Sequence, residues 1–252
     1  MHQCIAGARV IDEGVFNTTL LGQGRLADHS HCVALSDLFR GKICEQLGRR
    51  PGRQVTAGEF LYHMGEPARS VYLVRDGLLK TSLVSPSGHE LTLQIHQPGD
   101  ILGELCLCAD ERREQAVALE ASTVVEIPLE LLLDRLRQDP AAALDFATAA
   151  SARLLQTYQR LESLAVEPAM GRLSRTLLDL ASDLGEPTAQ GIRIAHHITQ
   201  EELARLISAR REVVSSLLNE LRKTGLISYT RRGFIIVNRP ALESLLESID
   251  QG

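Results

Sequence analysis

Between residues 198 and 226 the apolar positions recur at helical spacing, in the stretch ITQEELARLISARREVVSSLLNELRKTGL. Thr199 followed three residues later by Glu202 has the spacing of a capping box and predicts a helix start. Leu203, Leu206 and Ile207 then form one apolar stripe. Ser208 and Ala209 predict a short turn, and a second helix follows with Val214, Leu217, Leu218 and Leu221 facing the first. Gly225 stops it. Two short amphipathic helices joined by a tight turn make a helix-turn-helix. The face opposite the Val214 stripe carries Arg211, Glu212 and Ser215 near the start of the second helix. In the major groove those positions meet base edges. A packed helical pair without any nucleic-acid role would show the same periodicity.

The pattern elsewhere divides the chain. LISYTRRGFIIV predicts two strands, 226–229 and 234–237, around a turn of Thr230, Arg231, Arg232 and Gly233, which is a wing with two arginines at its tip. Residues 1–33 lack periodicity and contain Gly7, Gly14, Gly22 and Gly24, so an extended arm is expected. Leu35, Leu38, Phe39, Ile43 and Leu47 share one face of a short helix, with Cys44 as a small apolar neighbour. From 53 to 128 the runs SVYLV, LLKTSLV and ELTLQI alternate with turns at Gly58, Gly65, Gly77, Gly88 and Gly99. Turn signals about ten residues apart predict an antiparallel sandwich or jelly roll. From 129 the period is helical again, and Pro140 suits the first position of a long helix. Leu144, Ala147, Leu154, Leu155, Tyr158, Leu161 and Leu164 give that helix more apolar surface than one small domain needs. A partner helix from a second copy would cover it; packing on the sandwich is the alternative. Glu167 and Pro168 mark a hinge, followed by a helix over 170–184, a polar loop and a strand-like 192–195. The expected fold is α+β: an arm (1–33), a jelly-roll sensor (34–135), a long dimerisation helix (136–167) and a winged helix-turn-helix (168–252).

Charge sharpens the first reading. The 252-residue chain has a formal net charge of -5. Yet between Arg205 and Arg232 the bases Arg205, Arg210, Arg211, Arg222, Lys223, Arg231 and Arg232 face only Glu212 and Glu220. A basic patch on an acidic protein is what phosphate binding requires. Apolar content of 44% is that of a globular chain. No apolar run is long enough to span a bilayer and the start has no signal-peptide pattern, so a cytoplasmic protein without membrane partners is expected. Five cysteines, Cys4, Cys32, Cys44, Cys106 and Cys108, are an odd count and fit thiols or ligands better than a disulfide framework.

Residues 35–240 resemble the CRP/FNR family of bacterial transcription regulators. The likeness is carried by GEFLYHMGEPARSVYLVRDGLLK, HQPGDILGEL, GRLSRTLLDLA and ITQEELARLISARREVVSSLL, which are similar to the family's sandwich hairpins, phosphate cassette, first DNA-domain helix and helix-turn-helix. The resemblance implies a homodimer on a pseudo-palindromic double-stranded operator, with RNA polymerase as a further partner. It implies base readout by Arg211, Glu212 and Ser215, with Ser216 where many members have a second arginine. Backbone contacts fall to Thr199, Arg210, Lys223, Arg231 and Arg232.

For the sensor the resemblance implies a pocket at Gly103, Glu104 and Leu105. Members that bind cyclic AMP follow this turn with an arginine and a serine; the family spacing lands on Glu114 and Gln115. A carboxylate beside a phosphate is repulsive, so ordinary cyclic AMP is disfavoured. Arg112 or Arg113 could compensate by a register slip. Thr157 stands where such members touch the adenine, with Tyr158 in place of a small serine. The oxygen-sensing members' cysteine pattern is absent, and the matching sandwich position is Val125. Cys106 and Cys108 would point the same way in an extended segment, and His29, His31, Cys32 and Cys4 could approach from the arm. Such ligands suit an iron–sulfur cluster or another metal centre. Two packed small residues are the plainer explanation, and no cofactor at all is equally compatible.

The leading expectation is therefore a transcription regulator whose effector is not ordinary cyclic AMP. A redox- or metal-responsive regulator and a ligand-binding module acting on a protein partner are the alternatives. No nucleophile–base set or phosphate loop points to an enzyme.

Overall fold

A computed structural model describes residues 50–250. The expected arm, the helix over 35–47, and Cys4, His29, His31, Cys32 and Cys44 lie outside the described residues. Two antiparallel four-stranded sheets form the sandwich. One runs β1 (Arg53–Val55), β8 (Ser122–Pro128), β3 (Ser70–Asp76), β6 (Ile101–Leu102). The other runs β2 (Phe60–Tyr62), β7 (Gln115–Ala118), β4 (Leu79–Val84), β5 (Glu90–His96). The VYLV run is apolar without alternation because β3 is buried on both faces. Val71 and Leu73 pack outward on Ile101, Val125, Ile127 and Leu132, whereas Tyr72 and Val74 point inward to Val55, Leu79, Leu102 and Val124. A one-residue slip would exchange those two sets, so burial fixes the register. The β3–β4 turn needs glycine: Gly77 has φ 84°, and a Cβ there would fall 2.6 Å from the Ala121 carbonyl oxygen.

Helix α1 (Leu129–Gln138) leads into α2 (Pro140–Val166). Pro140 occupies the first turn of α2, and the Asp139 carboxylate caps it by accepting from the Ala142 N–H at 3.2 Å. Ala142 and Ala149 bury the inner edge of α2 against the sandwich. The sandwich does not cover the outer stripe: Leu144, Leu154, Leu155, Tyr158, Leu161 and Val166 are between 51% and 73% exposed.

The C-terminal part comprises α3 (Ala169–Asp183), β9 (Gly185–Thr188), β10 (Gly191–Ile194), α4 (Gln200–Ile207), α5 (Arg211–Lys223), β11 (Ile227–Tyr229), β12 (Ile235–Val237) and α6 (Arg239–Asp250). Its sheet has the order β11-β12-β10-β9. The expected polar loop after α3 is in fact β9, GEPT, paired from Gly185↔Ile194 to Gly191↔Thr188. Its side chains have no apolar alternation; backbone pairing alone makes it a strand. Leu173, Leu177, Leu203, Ile207, Val214, Leu218, Leu221, Val237 and Leu242 form the core, and Leu78 of the sandwich enters the same cluster. No helix among the described residues is long and apolar enough to cross a membrane.

Candidate nucleic-acid interface and effector pocket

The reading head is built from α4, its turn and α5. Thr199 caps α4, its hydroxyl accepting from the Glu202 N–H at 3.1 Å. The reciprocal half of the expected capping box does not form, because the Glu202 carboxylate is held by Lys80 at 2.8 Å and 3.0 Å. Ser208 ends α4 with φ 50° and ψ 53°, and is the one non-glycine with positive φ among the described residues. That left-handed residue turns the chain so that α5 starts at Arg211. Val214, Leu218 and Leu221 face inward. Arg211, Glu212 and Ser216 are exposed and Ser215 is half-buried, while Val213 and Asn219, which the sequence reading did not weigh, are exposed beside them. No hydrogen bond or ion pair among the described residues engages the side chains of Arg210, Arg211, Lys223, Arg231 or Arg232, and all five are solvent-accessible. The Gly233 end of the wing lies beside His197.

One member of the expected basic patch drops out. Arg205 pairs with Glu90 at 3.0 Å, with Glu201 at 3.6 Å and with Glu202 at 2.5 Å, so its charge is neutralised inside the molecule.

The expected effector cassette of the sandwich has the opposite character. Gly103 adopts φ 83°, and a Cβ there would lie 2.6 Å from an Arg112 guanidinium nitrogen. Arg112 is buried; it donates to the Gly103 carbonyl at 3.1 Å and the Ser70 carbonyl at 2.7 Å, and stacks on Tyr62 with its guanidinium carbon 4.2 Å from the ring centroid. Each of its Nη atoms donates to a backbone carbonyl, its buried Nε has no partner among the described residues, and Arg113 is exposed to solvent. Glu104 is instead paired with Arg153 of α2, which also donates to the Ile101 carbonyl at 3.2 Å. Sequence reasoning missed Arg153. Its only signal was a base among the apolar positions of the long helix.

Glu114 is buried and accepts from the Tyr62 hydroxyl at 3.0 Å. Burial, then the Glu104 carboxylate, push its pKa up to about 7. Gln115 donates to the Ser82 hydroxyl at 3.2 Å on the other side of the strand. Leu105, Thr157 and Tyr158 are exposed, and Thr157 donates back to the Arg153 carbonyl at 2.9 Å, along its own helix. His96 is fully buried against Thr81 at 3.1 Å, and desolvation drives its pKa well below the ordinary imidazole value.

The cysteine expectation requires correction. Glu104–Leu107 is a 3-10 turn, not an extended segment. A 3-10 turn rotates each side chain about a third of the way round. Cys106 is buried, its thiol pushed up by burial, while Cys108 is exposed with its sulfur 3.4 Å from the Leu105 carbonyl. Among the described residues no group of three or more His, Cys, Asp or Glu is placed to hold a metal ion.

A cyclic-nucleotide-type sandwich joined by a long helix to a winged helix-turn-helix defines a DNA-binding transcription regulator. The domain families match in the same order: "Cyclic nucleotide-binding domain" over residues 52–139 and "Crp-like helix-turn-helix domain" over 171–245. The chain belongs to the CRP/FNR family of transcription regulators. It is 32% identical over 206 residues to the "Anaerobic regulatory protein" of Bacillus subtilis, covering 81% of this chain and 85% of that one. It is 30% identical over 218 residues to the "Global nitrogen regulator" of Synechococcus elongatus, covering 85% and 96%. Among solved structures it is similar to a CRP-family transcriptional regulator from Thermus thermophilus, with TM-score 0.66, 28% identity and coverage of 77% and 96%.

Proposed function

We propose that the protein is a homodimeric, sequence-specific DNA-binding regulator whose sandwich responds to an effector other than ordinary cyclic AMP. The observation that carries the DNA reading is Arg211 followed by Glu212, both exposed and without a partner among the described residues, at the first turn of α5. An arginine fork fits guanine O6 and N7, and a glutamate accepts from cytosine N4, so the pair suits a G·C step in each half-site. Ser215 and Ser216 complete the base-facing set. Thr199, Arg210, Lys223, Arg231 and Arg232 serve as phosphate contacts on either side.

The dimer reading rests on the uncovered stripe of α2. Leu144, Ala147, Ser151, Leu154, Tyr158, Leu161 and Ala165 alternate at spacings of three and four, the seam of a two-stranded coiled coil. Two-fold pairing there matches a pseudo-palindromic operator. RNA polymerase is the further partner, and the cytoplasm the site of action.

The effector reading rests on Glu114 at the family's phosphate-arginine position, on Arg112 being committed to backbone, and on Arg153 being committed to Glu104. Selection of bound sites from randomised DNA, with sedimentation of the free protein, tests both the DNA and the dimer reading. Recovery of an inverted repeat with a G·C step in each arm, by a dimer, is expected. A monomer, or no enriched sequence, would overturn the reading.

A further inference from the structure

Glu114 and Gln115 are neighbours that face opposite sides of one strand. Glu114 looks into the sandwich, toward Tyr62, Glu104 and Arg153. Gln115 looks out, into a cleft of about 370 Å³ between the sandwich and the reading head, lined also by Lys80, Glu90, Thr199, Glu202 and Arg205.

A path from Gln115 to α4 runs through strand β4. Gln115 donates to the buried Ser82 hydroxyl across the β7–β4 pairing, and Ser82 stands two residues from Lys80 on β4. Lys80 pairs with Glu90 at 2.8 Å and with Glu202 of α4 at 2.8 Å. Arg205 of α4 closes the ring, 3.0 Å from Glu90 and 2.5 Å from Glu202. Burial disfavours the Glu90 charge, but bonds from Lys80 and Ser82 and the charges of Lys80 and Arg205 outweigh it, and its pKa is lowered. The far end of α4 is held too. Arg160 of α2 donates to the Thr92 and Leu93 carbonyls of β5 and, at 2.6 Å, to the Leu206 carbonyl. Arg172 of α3 donates to the Ile207 carbonyl at 2.9 Å. Leu78, Ile95 and Leu119 pack into the reading-head core beside these ties.

We propose that the β4–β5 hairpin is a latch: the Lys80–Glu90–Arg205–Glu202 ring fixes the helix-turn-helix on the sandwich in its DNA-competent pose, and Gln115–Ser82 links that ring to the effector cassette. This rests on the DNA-binding reading above. In the latched pose Arg211, Glu212, Ser216, Arg231 and Arg232 all remain exposed, so the ring leaves the reading surface open. A released head gains orientational freedom that both protomers must give up on the operator, so release weakens binding. A change on the Glu114 side of the strand moves Gln115, and with it the ring, because the two are adjacent residues of one chain. Coupling of this kind needs a physical chain with two arrangements, and the ring supplies one that is made or broken as a unit.

The test uses the full chain with Lys80→Gln, Glu202→Gln and the double variant. Glu202→Gln keeps the cap, which uses only the backbone N–H. Each single variant should weaken operator binding at least fivefold, and the double should be no worse than the weaker single within about twofold, the signature of one shared interaction. Hydrogen exchange in α4 should rise at least fivefold while β3 and β8 are unchanged. Should Lys80→Gln lose the native fold, Glu90→Gln opens the same ring from the sandwich side and gives the same readouts. Unchanged exchange in α4, or single losses that multiply in the double variant, would overturn the latch. Exchange decides the latch without DNA: wild-type protein that binds no operator while α4 loosens on cutting the ring would sink the DNA reading, and with it the competent pose, but not the ring as the tie.

Discussion

The outer face of α5 and the interior of the sandwich both carry arginines, and they differ in what those arginines already hold. On the reading head, Arg210, Arg211, Arg231 and Arg232 are solvent-accessible and engaged by no described group. In the sandwich, Arg112 is committed to two carbonyls and Arg153 to Glu104 and a carbonyl. The first surface can accept an external polyanion without breaking anything. In the second, the Nη groups already hold carbonyls or a carboxylate, and an anion would compete with those bonds. Charge count alone would rate both regions as anion sites; partner accounting separates them.

The largest expected effect comes from taking one partner out of the sandwich. Arg153→Ala leaves Glu104 partly buried without its cation and should cost about 3 kcal/mol of unfolding free energy, measured by urea titration. Replacing Glu104 by Gln in the same chain should recover much of that loss. A silent Arg153→Ala would mean that the pair contributes nothing and that the contrast with the reading head is false.

Glu114 gives an effect of similar size that depends on pH. Its folded pKa of about 7 lies above the ordinary 4.5, so the unfolded chain releases this proton first as pH rises. Stability from this group is complete below the ordinary value and is lost between pH 4.5 and about 7. The difference corresponds to about 3 kcal/mol. Glu114→Gln should therefore stabilise the protein at pH 8, change it little at pH 4.5, and flatten the profile between. The same slope in wild type and variant would place the titration elsewhere.

Smaller still is the wing. Replacing Arg231 and Arg232 by Ala should flatten the dependence of log affinity on log salt by about two units if each meets one phosphate. An unchanged slope would put the wing tip away from DNA. The smallest expected effect is none: micromolar cyclic AMP should leave the melting temperature unmoved. A ligand bound at a hundredfold excess over its dissociation constant would add about 2.7 kcal/mol, so a clear shift would show that the sandwich does admit the phosphate.

Most of the architecture was legible because it rests on local signals. Short runs between regularly spaced glycine turns marked the sandwich, and the apolar stripes of α4 and α5 marked the reading head. What escaped was decided by distant partners. GEPT in β9 has no pattern of its own and is a strand only because β10 runs beside it. Glu202 has the spacing of a capping box, but Lys80 of β4, far away in sequence, takes its carboxylate. Arg205 counts as part of the basic patch in the sequence, yet Glu90 of β5 lies against it in the fold. Arg153 was hidden because a base on the long helix gives no sign of which carboxylate it meets. The expected common side for the Cys-x-Cys thiols does not form, because that spacing gives a common side only in a strand and the backbone there is a 3-10 turn.

The contrast depends most on Arg211 being free to read bases. The measurement is the affinity of Arg211→Ala against wild type, on the selected operator and on random DNA at one salt concentration. A loss of about 1–3 kcal/mol on the operator with little change on random DNA is the expected result. Equal losses on both would make Arg211 a phosphate contact and contradict the assignment of α5 as the reading helix.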